Sequence, residues 1–106
     1  MTTLITGGSG FVGSNLNGDM RVSSRDANLL IFDEAIKLLE SLKPTNILHA
    51  AAKHGNFAQI ENDKVGYYRE NALININTFE GARLSGVRTI LAFSSVTAFP
   101  DRINKF

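Results

Sequence analysis

The sequence predicts an α/β fold: a parallel sheet of about four strands, ordered 3-2-1-4, with about three helices. Two observations predict it. Short β-type runs alternate with helical stretches along the whole chain, the pattern of strands joined by crossover helices. The first of these runs also passes straight into a glycine-rich turn, Gly7-Gly8-Ser9-Gly10-Phe11-Val12-Gly13, which leads into a helix. With 106 residues the chain makes one domain, 1–106.

Thr3–Thr6 is a short apolar run closed by glycines and reads as the first strand. Phe11–Leu16 opens a helix, but Asn17, Gly18 and Asp19 interrupt it within about two turns, so the first helix is shortened. Met20–Ser23 is the second strand. From Phe32 to Leu42 the apolar spacing becomes helical, with Ile36, Leu39 and Leu42 on one side and Pro44 beyond the end. Asn46–Ala50 is a third strand, and its Ile-Leu core suits burial on both faces. Lys53–Val65 is polar and mixed and reads as a loop. Tyr67–Leu84 is a long helix carrying Leu73, Ile76, Phe79 or Glu80, and Leu84, and Ser85-Gly86 ends it. Thr89–Phe93 is the fourth strand, Ser94 and Ser95 follow it, and Pro100 marks a turn.

Composition narrows the function classes. Apolar residues make up 43% and charged residues 20%, as in a folded globular chain. A formal net charge of +1 gives no electrostatic case for nucleic acid or an anionic membrane as partner. There is no cysteine, which excludes thiolate nucleophiles and cysteine-zinc sites and suits a reducing compartment. No apolar run reaches the roughly 20 residues that span a bilayer. The opening MTTLITGGSG lacks the basic start and apolar stretch of a secretion signal. A soluble cytoplasmic protein is expected.

The glycine turn carries the chemistry. After a strand and before a helix, Gly7 lets the chain turn, Gly10 lets the backbone approach a pyrophosphate, and Gly13 lets helix and strand pack closely. Phosphates would then meet free N–H groups at the start of the helix. This is the opening of a reduced Rossmann-type fold that takes a dinucleotide; the alternative is an ordinary glycine-rich turn. A phosphate loop of the Gly-Lys-Ser/Thr kind is disfavoured, since that run is missing here.

The spacing G-x-x-G-x-x-G, with Ser23-Ser24-Arg25-Asp26-Ala27-Asn28-Leu29, Lys43-Pro44-Thr45, His49-Ala50-Ala51-Ala52-Lys53-His54-Gly55, Arg69-Glu70-Asn71 and Phe93-Ser94-Ser95, resembles the extended short-chain dehydrogenase/reductase family. Within it the likeness is to nucleotide-sugar epimerases, dehydratases and reductases of the GDP-L-fucose synthase type, and it covers nearly the whole chain. The resemblance implies a dinucleotide in the cleft and a nucleotide sugar beside it.

The residues near the second strand's end bear on which dinucleotide. A carboxylate there holds a ribose 2′-hydroxyl, whereas a guanidinium matches a 2′-phosphate. The first charged residue after Met20–Ser23 is Arg25, followed by Asp26, and the resemblance also associates an arginine there with NADPH. NADP(H) is therefore favoured over NAD(H), with Ser24, Arg25 and Asp26 at that end; the alternative is a solvated arginine beside Asp26. Ala50, Ala51 and Ala52 would leave room for ribose and pyrophosphate, although small residues also suit close packing. Asn71 matches a family position near the cofactor, or is a solvated helix residue.

The resemblance gives Ser94 the role of hydrogen-bonding the substrate's reacting oxygen, with Ser95 as the fallback. The family's Tyr-x-x-x-Lys pair is absent from this chain: Tyr67 and Tyr68 are followed four residues on by Asn71 and Ala72. The family's cysteine for epimerisation has no counterpart in Val96-Thr97-Ala98. His49 and His54 lack a nearby ligand set, so no metal is expected and His49 reads as structural. Lys53 and His54 could line a substrate-phosphate site.

A second departure is the connection from Gly13 to Met20, too short for a full crossover. It leaves part of the sheet uncovered, and the far edge is bare. A homodimer through Tyr67–Leu84, or a partner chain over the bare edge, is expected. Three functions stay open: a reductase on a nucleotide sugar, a module that holds a dinucleotide without turning it over, and a scaffold that has kept only the fold.

Overall fold

The computed structural model of the chain describes residues 1–93. Its elements run β1 (Thr3–Thr6), α1 (Phe11–Ser14), β2 (Met20–Val22), α2 (Phe32–Leu42), β3 (Asn46–His49), α3 (Phe57–Asn62), α4 (Lys64–Leu84) and β4 (Thr89–Ala92). All strand pairs are parallel, with Ile5 level with Arg21 and with Leu48, and Leu48 level with Leu91.

The α/β class of the sequence reading holds, but the strand order is β2-β1-β3-β4. The third strand sits on the far side of β1 rather than outside β2. The side chains explain the difference. β2 is three residues long and carries the exposed Arg21 at its centre, which suits an edge. Ile47 of β3 is fully buried and Leu48, on the opposite face, is half-buried, which suits an interior position.

One face of the sheet carries the core. Leu4, Val22 and Ile47 meet Leu39 of α2 and Ala82 of α4 there, with Met20, Leu38 and Ile90 packed around them. α2 follows the expected span, and its exit is well signalled: Lys43 takes a left-handed φ of 44° before Pro44. The opposite face, which carries Ile5, Leu48 and Leu91, is covered thinly. Ile5 is buried under Gly18, where an added Cβ would lie 2.9 Å from Ile5 Cδ1, while Leu91 is 55% exposed.

Two expectations about the helices fail. Lys53–Val65 is not all loop, because α3 forms within it. Asn56 opens α3 with a reciprocal cap: its side chain accepts from Gln59 N, and Gln59 Oε1 accepts from Asn56 N. The core face of α4 is also not the large apolar one. Its buried residues are Gly66, Ile74, Asn77, Thr78, Gly81 and Ala82, while Ile76 and Leu84 are more than half exposed. Size decides this. α2 lies so close that a Cβ at Gly81 would stand 3.1 Å from Leu39 Cδ1, and only small residues fit along that contact.

Candidate functional site

The order β2-β1-β3 means that successive crossovers leave β1 in opposite directions. A crevice opens at the carboxyl ends of β1 and β3, the place where open parallel sheets bind ligands. A cleft of about 330 Å³ lies there. Gly7, Ser9 and Gly10 form its floor, Ser23, Ser24 and Ala27 one wall, and Ala50, Ala51 and Ala52 the other.

The glycines of the floor do three different things. Gly7 has φ +65°, and a Cβ on it would stand 2.8 Å from the backbone of Ala50 and Ala51. Gly13 packs back on the turn, where a Cβ would come within 2.0 Å of Gly7 O. Both are glycine because the backbone of the protein itself passes there. Gly10 differs: its φ of −78° and ψ of 177° suit any residue, and a Cβ would meet only Gly7 O at 3.4 Å. Gly10 itself lines the cleft. Gly8 lies behind the floor, with its N–H donating to Val22 O at 2.8 Å.

The remaining residues of the glycine turn present backbone rather than side chains. Phe11 is 88% exposed, and neither it nor Val12 lines the cleft with its side chain. The N–H groups of Ser9, Phe11 and Val12 make no backbone hydrogen bond among the described residues, as expected where a helix begins.

The wall of Ser23, Ser24 and Ala27 belongs to a turn closed by Asp26; Arg25 and Asp26 themselves do not line the cleft. Asp26 Oδ2 accepts from Ser23 N at 2.8 Å and from Ser23 Oγ at 3.4 Å. One oxygen of the exposed Asp26 carboxylate is thus engaged within its own turn. Arg25 is exposed and forms no ion pair among the described residues.

The opposite wall hangs from β1 by a buried relay. Thr6 Oγ1 accepts from Ala50 N at 3.1 Å and Ala51 N at 3.2 Å, and lies 2.7 Å from His49 Nδ1. His49 Nε2 lies 2.9 Å from Asn75 Oδ1 on α4. The arrangement assigns the ring proton to Nε2, so that the Thr6 hydroxyl donates to Nδ1. His49 is 3% exposed, and burial lowers its pKa while the Asn75 hydrogen bond opposes the shift. Through its two ring nitrogens His49 joins β1 to α4. Thr6 and Asn75, which complete the relay, went unnoticed in the sequence.

Asn71 acts one step further on. Its Oδ1 accepts from Lys53 N at 2.7 Å and its Nδ2 donates to Lys53 O at 3.2 Å. It clamps the chain leaving Ala52 and does not line the cleft. Lys53 lines the cleft with His54 and Glu70. Its ammonium pairs with Glu70 and lies 4.6 Å from the centre of the Tyr67 ring. The Glu70 hydrogen bond holds the Lys53 pKa above its usual value.

Ser94, with Ser95, lies outside the described residues. Among the described residues no group of three or more His, Cys, Asp or Glu side chains comes together, and no helix is long and apolar enough to cross a membrane.

Known proteins share this arrangement. The model of the NAD dependent epimerase/dehydratase family matches residues 3–105. The chain is 30% identical over 110 residues to a probable GDP-L-fucose synthase of Drosophila melanogaster, covering 93% of this chain and 34% of that protein. It is 28% identical over 112 residues to a GDP-L-fucose synthase of Dictyostelium discoideum, covering 95% and 35%. A crystal structure of a GDP-L-fucose synthetase from Naegleria fowleri bound to NADP superposes with a TM-score of 0.78 at 28% identity, over 97% of this chain and 33% of that one. The chain spans about a third of the length of these relatives.

Proposed function

Because the chain belongs to the NAD dependent epimerase/dehydratase family, we propose that its cleft binds a dinucleotide, NADP(H) in preference to NAD(H). The observation that carries this is Gly10. Its missing Cβ is required by no contact among the described residues, and Gly10 lines the cleft floor. A pyrophosphate at that position accounts for the glycine. The N–H groups of Ser9, Phe11 and Val12 supply donors there. Gly7, Gly8 and Gly13 shape the turn, and Ala50, Ala51 and Ala52 leave room for the ribose.

At the adenosine end the preference rests on Arg25. Asp26 Oδ2 accepts from Ser23, and Arg25 forms no ion pair among the described residues. A planar guanidinium suits a 2′-phosphate. Ser24 lines the same end, and Asn71 holds the far wall through Lys53.

The named relatives make a nucleotide sugar the proposed second ligand, with Ser94 at its reacting oxygen and Lys53 and His54 toward its phosphates. Tyr67 and Tyr68 stand on α4, outside the cleft lining. We further propose a homodimer in the cytoplasm, paired through the apolar stripe of α4.

Titration with NADPH, NADH and GDP-sugars, followed by fluorescence and thermal stability, tests the reading. NADPH should bind more tightly than NADH, and Arg25→Glu should remove most of that difference. A protein that responds to neither dinucleotide sinks the proposal.

A further inference from the structure

The connection between β1 and β2 poses a physical problem. α1 has four residues, and a helix that short does not hold itself together in water. It has no side-chain N-cap, no acidic residue in its first turn and no basic residue in its last. Yet Gly13, at its heart, must stay pressed on Gly7 for the cleft floor to keep its shape. Something outside the helix must hold it.

Arg21 is placed to do this. It is the central residue of β2 and level with Ile5, so its side chain leaves the sheet on the face opposite the core. Its Nη1 donates to Gly13 O at 2.5 Å, and its Nη2 donates to Leu16 O. Gly13 O lies in the last turn of α1, where it also accepts from Leu16 N at 3.3 Å, and Leu16 lies two residues beyond the helix. The stem of Arg21 also backs Gly8, where an added Cβ would lie 2.8 Å from Arg21 Cβ. The neighbouring Val22 O accepts from Gly8 N. One residue therefore touches the glycine turn at both ends.

We propose that Arg21 is a positioning residue for the cofactor floor. Its guanidinium takes the place of the helical turns that the short connection leaves out, and it acts through Gly13 and Gly8 rather than by touching a ligand. The fork geometry is essential, because two carbonyls are held at once by a rigid planar group. A lysine supplies one movable point of charge and can satisfy only one of them well. This role rests on the dinucleotide reading of the cleft, but the tie itself can be tested without any nucleotide.

The test compares Arg21→Met, Arg21→Lys and the unsubstituted protein by amide hydrogen exchange without ligand and by NADPH titration. Losing two charge-assisted hydrogen bonds should speed exchange at Ser14, Asn15 and Leu16 about tenfold or more, and weaken NADPH by a similar factor. The amides of Ile5 and Leu48 should change less than about twofold, and Arg21→Lys should fall between the other two. Unchanged exchange at α1 in Arg21→Met overturns the proposal. So does equal acceleration at Ile5 and Leu48, which would make Arg21 a general stabiliser. If the unsubstituted protein binds no NADPH, the dinucleotide reading fails, and the exchange comparison still decides whether Arg21 holds the loop.

Discussion

Replacing Gly13 by alanine places a methyl group 2.0 Å from Gly7 O, 2.7 Å from Gly7 C and 3.1 Å from Gly8 Cα. The first contact is more than an ångström too close, and the obstacle is backbone, Gly7 O, which accepts from Gly10 N at 3.0 Å. No side-chain rotation relieves it. Overpacking of this kind costs about 1–3 kcal/mol, and a backbone collision belongs at the upper end. For a domain of this size, about 3 kcal/mol lowers the melting temperature by roughly 10–20 °C. Gly10→Ala is the control. Its methyl meets only Gly7 O at 3.4 Å, in a conformation open to any residue, so stability should stay within about 0.5 kcal/mol. That methyl stands in the cleft, however, and NADPH should bind at least about tenfold more weakly, a loss of about 1.4 kcal/mol. Circular-dichroism melts and a binding titration read the pair. A Gly13→Ala protein that melts like the unsubstituted one, or a Gly10→Ala protein that binds NADPH equally well, refutes the separation of roles.

Other consequences follow from the relay and from α4. Burial keeps the His49 pKa below its ordinary 6.5, so below that pH the unfolded chain binds the extra proton first. Stability should be full above about pH 6.5 and decline as pH falls toward the lowered value, by at most about 1.4 kcal/mol per pH unit for one proton. Melts from pH 8 to 5 should show a steeper decline than in His49→Gln, and equal slopes would remove His49 as the cause. Thr78 is 1% exposed, and its hydroxyl has no hydrogen-bond partner among the described residues. Thr78→Val should therefore stabilise the fold by about 1 kcal/mol, and a lowered melting temperature would mean that the hydroxyl has a partner. Val65, Tyr68, Ile76 and Phe79 form an exposed stripe at helical spacing along α4. Ile76→Glu should convert a dimer to a monomer in sedimentation velocity, and a variant that still sediments as a dimer would place the contact elsewhere.

The local signals in the sequence were read well, and the distant ones poorly. β1 and α2 have the spans expected of them, because glycines close one and Lys43-Pro44 ends the other. α3 was legible in principle, through Asn56 and Gln59, but its polar residues masked the cap. The buried face of α4 is set by size and not by hydrophobicity, so apolar spacing does not mark it; Gly81 and Ala82 reach the core while Ile76 does not. Strand order is not local: the one edge signal is the polar Arg21 at the centre of β2. At the site, the glycine turn announces itself within a few residues. The wall that faces it depends on Thr6 and His49, 43 residues apart, and on His49 and Asn75, 26 apart. Nothing local marks such pairs.

The central claim is that a dinucleotide lies across the glycine turn at the ends of β1 and β3. An amide-resolved NMR titration with NADPH tests it most directly. The account predicts shifts concentrated at Gly7–Gly10, Ser23–Ala27 and Ala50–Ala52, saturating together at a single affinity. No shifts, or shifts confined to the outer stripe of α4, would contradict it.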